Sequence, residues 1–144
     1  MSNTKVKDVM TENPSLIKPE TSLKDAAKKM QEVGCGVLPV GSKSKLLGII
    51  TDRDIVIRAI AEGADIKTEL VEEYMSDRVY TCNENNTLNE AAEIMGKHKI
   101  SRLVVENEDG RIVGILSLGC MLRNNASAKE IVAVVEQARG CKAA

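Results

Sequence analysis

The sequence predicts an α/β (α+β) protein built from two copies of one small β-α-β-β-α unit. Three observations predict it: the chain aligns with itself, each copy opens a helix with the same capping pattern, and a pair of short apolar strands follows each helix. Residues 9–40 match residues 74–105 at a constant offset of 65 without a gap. The identities are Met10/Met75, Leu23/Leu88, Ala26/Ala91, Ala27/Ala92, Met30/Met95, Leu38/Leu103 and Val40/Val105. One extra residue in the second copy moves the offset to 66, where Gly48/Gly114 and Ile49/Ile115 coincide and Thr51 meets Ser117. These identities fall on apolar and punctuating positions of a single pattern, as a duplicated structural unit requires.

Each copy begins with a short extended piece, Ser15–Ile17 and Tyr80–Cys82. A helix follows at Ser22 or Thr87, each with an acid three residues later (Asp25, Glu90). In that spacing a hydroxyl and a carboxylate satisfy backbone donors that the first helical turn leaves without partners. Leu23, Ala26, Ala27 and Met30, like Leu88, Ala91, Ala92 and Met95, then recur at helical spacing and mark the buried face. Val37–Val40 and Leu46–Thr51 predict the first strand pair, and Leu103–Glu106 and Arg111–Leu116 the second. The intervening residues 106–110 predict a hairpin turn. A helix over about 52–62 follows the first pair, with Gly63 as its stop. Its counterpart is expected to be short, interrupted by Gly119 and ended by Asn124-Asn125. A last helix starts near Ser127, with Glu130 completing another capping box. Its stripe of Ile131, Val134, Val135 and Ala138 reads as core or subunit packing, or else as an element for another partner.

The expected boundaries are 5–63 for the first repeat, 64–69 for a linker, 70–124 for the second repeat and 125–144 for a C-terminal helix and tail. Each copy has only about 60 residues, little for an independent core, so the two are expected to pack sheet to sheet with helices outside.

Composition removes several function classes. The net charge of −1, with no basic block, argues against an extended nucleic-acid surface. Only Tyr74 and Tyr80 are aromatic, which argues against base-stacking platforms. No apolar signal region follows Met1-Ser2-Asn3-Thr4-Lys5, and no apolar run reaches bilayer-spanning length. The expectation is a cytoplasmic protein with no membrane partner. Cys35, Cys82, Cys120 and Cys141 form no C-x-x-C, and His98 is the only histidine. No metal site is expected, and the thiols read as small apolar side chains or bystanders in a reducing compartment.

Several stretches together resemble the CBS domain, the cystathionine-β-synthase type repeat. They are Val9-Met10-Thr11, residues 21–27, Gly36-Val37-Leu38-Pro39-Val40 and residues 48–54. Tyr74-Met75-Ser76, residues 87–92, 100–105 and 114–117 repeat the set, so the resemblance covers roughly residues 5–122. No single motif is specific, but the ordered set occurring twice is. The resemblance implies tandem repeats packed with pseudo-twofold symmetry (a Bateman module) and a flat homodimer. It also implies a cleft for an adenosyl ligand of the AMP, ADP, ATP or S-adenosylmethionine class. No cofactor is required beyond that regulatory ligand.

The resemblance also assigns residues. In the run Gly48 to Asp54, Asp54 is assigned to ribose hydroxyls and Thr51 to phosphate. A carboxylate can accept from two vicinal hydroxyls, and a helix start offers N–H groups to an anion. Thr51-x-x-Asp54 is equally a capping box that only starts a helix. In the second copy Ser117 keeps the hydroxyl, but Cys120 stands where the acid belongs, and a thiol does not replace a carboxylate there. Arg102 is assigned to the phosphate of the cleft containing Thr51 and Asp54, where the first repeat's counterpart is Val37. Arg102 reads alternatively as a solvated cation pairing with Glu106 or Glu108. His98 is a weaker phosphate candidate at a helix end. Leu16, Ile17 and Lys18 lie where the base would be walled, although Leu16 and Ile17 read equally as plain core.

No G-x-S-x-G, Walker A, H-E-x-x-H or G-x-G-x-x-G occurs, so no enzyme is expected. The expected function is a non-catalytic module whose dimer or partner-binding state changes when an adenosyl ligand enters, with an effector protein as a possible partner. The alternative is a ligand-independent interaction and dimerisation module, with a redox-responsive form using Cys35 or Cys120 as a variant.

Overall fold

A computed structural model describes residues 4–123 and 126–138. In chain order it contains α1 (Val6–Val9), β1 (Thr11–Glu12), α2 (Leu23–Val33), β2 (Val37–Gly41) and β3 (Leu46–Thr51). A π-wound turn (Asp54–Ala59) runs into a 3₁₀ turn (Ile60–Glu62) and then α3 (Val71–Tyr74). The second half holds β4 (Thr81–Asn83), α4 (Leu88–His98), β5 (Arg102–Glu106), β6 (Ile112–Ser117), α5 (Leu118–Arg123) and α6 (Ala128–Ala138). The predicted mixture of helices and paired strands is what forms.

Local chemistry accounts for the element starts. Ser22 Oγ accepts from the Asp25 N–H at 3.1 Å, and Thr87 and Glu90 close the box from both sides. Ser127 and Glu130 do the same ahead of α6. Gly63 ends the helical stretch after β3 at φ +81°, a left-handed backbone that costs glycine least. Asn107 N–H bonds to the Arg111 carbonyl at 2.9 Å, closing the β5–β6 hairpin. Gly119 differs from expectation: it lies inside α5 rather than interrupting it. The expected stop at Asn124-Asn125 lies outside the described residues, as does Cys141.

Two compact units result, and they do not follow the repeats as written. One is Pro14–Val79; the other joins residues 4–13 with the described residues from Tyr80 onward. Each repeat's leading segment therefore folds into the unit built on the other repeat. The backbone pairing repeats with the sequence offset. Val6 N–H bonds Asn86 O at 2.8 Å and Leu88 N–H bonds Thr4 O at 3.1 Å in one unit; Val71 N–H bonds Thr21 O at 2.8 Å and Leu23 N–H bonds Glu69 O at 3.0 Å in the other. The stretch 64–69, expected as a linker, is part of this packing, with Ala64 and Ile66 against the core.

In the second unit the sheet order is β1-β6-β5-β4, with β4 parallel to β5 and the other pairs antiparallel. The first unit keeps the same plan with its outer strands reduced to single bridges. The β2–β3 hairpin is flanked by Ile17 parallel to Val40 and by Ser76 antiparallel to Ile49. Each unit has its own aliphatic core: Leu23, Met30, Leu38, Val40 and Ile50 in one, Leu88, Met95, Leu103, Val105 and Leu116 in the other.

The two helices of the repeat are not buried alike. Ala92 is buried, but Ala27, expected on the same stripe, is exposed. The physical reason is α6, which packs on α4 through Val134 and Ile131. Among its described residues the Pro14–Val79 unit has no equivalent helix over α2. Of the α6 stripe, Val134 is thus core and Ile131 is partly buried against it.

Candidate functional site

The site is built at the end of β3. Thr51 closes that strand and Asp54 opens the π-wound turn, so the two residues face each other across one helical start. Thr51 N–H donates to Asp54 Oδ2 at 2.9 Å, and Asp54 N–H donates to Thr51 Oγ1 at 3.1 Å. The capping box foreseen from the spacing is closed on both sides. The neighbouring donors are also occupied: Asp52 N–H bonds Gly36 O at 2.9 Å and Arg53 N–H bonds Asp52 Oδ1 at 2.8 Å. The expectation that this helix start offers unpaired N–H groups to an anion is therefore corrected, because four successive donors already have acceptors within the chain. Asp54 Oδ1 faces Arg58 Nη1 at 3.8 Å, with the Asp54 side chain 20% exposed. Thr51 Oγ1, having accepted one bond, keeps its hydroxyl proton to donate.

Gly48, which begins the motif, serves packing. A Cβ there would lie 2.6 Å from the Ser76 carbonyl oxygen and 2.9 Å from Met75 Sδ. The Met75-Ser76 backbone crosses directly over the strand, with Ile49 and Ser76 exchanging both bonds at 2.9 and 2.8 Å. Gly114 meets Met10 and Thr11 in the same way. The Met-Thr and Met-Ser pairs of the repeat thus explain its glycines.

Ile17 is buried in the first unit's core, and its N–H and C=O are paired with Pro39 and Gly41. Lys18, next to it, is exposed. Arg102 begins β5 as the Cα partner of Ser117, the register that Val37 holds opposite Thr51. No ion pair joins Arg102 to a described residue; Glu106 instead accepts from Thr81 at 3.4 Å and Glu108 from Asn85 at 3.3 Å. His98 stacks on Tyr80, ring centroids 3.8 Å apart.

The second repeat's version of the motif is closed. Cys120 is fully buried, and its Sγ lies 2.8 Å from Thr11 Oγ1 and accepts from Ser117 Oγ at 3.2 Å. The Cys120 N–H donates to Ser117 Oγ at 3.3 Å. Ser117 and Cys120 are therefore brought together as expected, with Thr11 as a third member 109 residues away that no local spacing announces. Arg58 was also missed, although its position four residues after Asp54 on a helix is the spacing at which such pairs meet. Nearby, Tyr74 donates its hydroxyl to Glu69, and that bond raises the phenol's pKa. Burial pushes the Cys82 thiol up to about 12, with Glu106 adding to it.

The family model of the CBS domain matches this chain twice, over residues 6–60 and 71–127. The chain belongs to the CBS domain family. Among CBS relatives, the CBS domain-containing protein YhcV of Bacillus subtilis is 36% identical over 122 residues, 85% of this chain and 86% of that one. A crystal structure of Hypoxic Response Protein I with two coordinated zinc ions is 32% identical, with a TM-score of 0.70, covering 83% of this chain and 98% of that one. CBSX2, a CBS-pair protein from Arabidopsis thaliana, has a structure in complex with AMP. That structure is 28% identical with a TM-score of 0.66, covering 83% and 94%. In this CBS pair no three His, Cys, Asp or Glu side chains among the described residues are grouped to hold a metal ion. No described helix is long and apolar enough to cross a membrane.

Proposed function

We propose that this CBS pair is a non-catalytic regulatory module that takes one adenosyl ligand per chain through its first repeat. The reading rests on one contrast. Asp54 keeps its Oδ1 at a partly exposed position beside a single half-exposed arginine, whereas its counterpart Cys120 is fully buried and bonded to Thr11 and Ser117. Asp54 Oδ1 accepts the ribose hydroxyls and the Thr51 hydroxyl donates to a phosphate oxygen. The chain around Ile17 and Lys18 walls the base. The AMP complex of CBSX2 supports this ligand class. Ligand occupancy shifts the population of a cytoplasmic homodimer between states that an effector protein distinguishes.

A second reading, a ligand-independent interaction module, is favoured by the completeness of the Thr51/Asp54 cap and by the exposed Val56, Ile57 and Ile60.

A thermal-shift panel with AMP, ADP, ATP, GTP and S-adenosylmethionine separates the two. A ligand at 100 times its Kd stabilises the fold by about 2.7 kcal/mol. The expected result is a shift with an adenosyl compound that Asp54→Asn abolishes, with one site per chain by calorimetry. Asparagine keeps a capping oxygen for the Thr51 N–H, so a lost shift reports on the ligand and not on the helix start. No shift with any compound favours the interaction module, and two equal sites per chain sink the assignment of one repeat.

A further inference from the structure

We propose that Arg58 couples the charge of Asp54 to the segment Val71–Ser76, making it a positioning residue between the candidate ligand site and the chain that leaves the first unit. Arg58 Nη1 lies 3.8 Å from Asp54 Oδ1 and also donates to the Tyr74 carbonyl at 2.7 Å. That carbonyl belongs to the last residue of α3, one of the helix-end acceptors for which no intrahelical donor exists. One guanidinium therefore serves both a carboxylate at the start of the π-wound turn and an orphan carbonyl sixteen residues away.

What Arg58 holds is also tied at its two ends, by Val71 N–H to the Thr21 carbonyl and by the two bonds that Ser76 exchanges with Ile49, and Arg58 is what holds the Tyr74 carbonyl between them. Tyr74 is tied at its far end to Glu69, whose other oxygen accepts from the Asp65 N–H at 2.7 Å. Two residues beyond the Tyr74 carbonyl, Ser76 makes the single bridge to Ile49 that stands where the second unit has a paired strand. A half-exposed arginine released from its carboxylate samples many rotamers, so its bond to the carbonyl weakens. Removing the charge at Asp54 thereby loosens the Ile49–Ser76 bridge through Arg58. The regulatory consequence rests on the adenosyl reading: ribose hydroxyls donating to Oδ1 compete with Arg58 for that oxygen, and the effect passes to the segment that leads on to Tyr80.

The test is a double-mutant cycle read by residue-resolved amide hydrogen exchange on the full chain without ligand. Asp54→Asn is expected to speed exchange at Ser76 and Ile49 two- to threefold, the size of a half-exposed ion pair. In an Arg58→Gln background the same change is expected to do nothing further, and amides of β5 and β6 stay unaffected in every variant. Arg58→Lys, which restores charge without the guanidinium fork, recovers part of the protection. Equal acceleration by Asp54→Asn with and without Arg58, or none in either background, overturns the coupling. AMP is then added to wild type. Binding without any change at Ser76 overturns the coupling and leaves the adenosyl reading standing. A non-additive cycle in a protein that binds no adenosyl compound upholds the coupling and removes the adenosyl reading.

Discussion

Replacing Gly48 by alanine tests the close crossing on which the candidate site is mounted. The added Cβ lies 2.6 Å from the Ser76 carbonyl oxygen, whereas ordinary contact begins at 3.4 Å, so backbone must retreat by nearly an ångström. That oxygen is the acceptor of the Ile49 N–H at 2.9 Å, so the retreat breaks a bond worth about 1 kcal/mol. Overpacking in a filled site adds about 1–3 kcal/mol. The expected loss is about 2–4 kcal/mol, read as a lower urea midpoint at unchanged m-value. Gly114→Ala probes the equivalent crossing with a different nearest atom, Met10 Sδ, ahead of the Thr11 oxygen at 2.9 Å. A flexible thioether can move and a backbone carbonyl cannot. Met10→Ala should therefore recover at least about 1 kcal/mol of the Gly114→Ala loss, and Met75→Ala should recover little of the Gly48→Ala loss. A Gly48→Ala protein within about 0.5 kcal/mol of wild type would refute the reasoning, as would complete rescue by Met75→Ala.

The buried Cys82 thiol makes alkaline stability titrate. Its pKa is raised from 9.0 to about 12 by burial, so the unfolded chain gives up the proton first. Stability from this residue is whole below pH 9 and falls by about 1.4 kcal/mol per pH unit as the pH rises toward 12. Urea unfolding of wild type and Cys82→Ala between pH 8 and 11 should show the steeper decline only in wild type. The unequal burial of the repeat's helices gives a second comparison. Ala27→Glu should cost under about 0.5 kcal/mol, whereas Ala92→Glu should cost more than about 3 kcal/mol because it buries an unpaired charge beneath α6. Equal costs at the two positions would mean that α6 does not cover α4.

What the sequence determined by itself was everything carried by short-range chemistry and by the duplication. Thr87 and Ser127 start helices because a hydroxyl and an acid three residues on satisfy local donors, and Ser22 does so with its hydroxyl alone, whatever packs around them. The strand pairs, the hairpin at 107–111 and the closed Thr51/Asp54 box are local in the same sense. The tertiary structure alone decided what depends on residues distant in the chain. It assigned residues 4–13 to the unit of the second repeat, and so brought Thr11 to Cys120 and Met10 to Gly114. It covered Ala92 and left Ala27 open, though the two are identical in type and register. It also placed the Tyr74 carbonyl on Arg58, giving Asp54 a neighbour with a second task. A repeat pattern specifies which face of each element is apolar, but the choice of which apolar face or carbonyl meets it is a competition among distant segments, settled only when the whole chain packs.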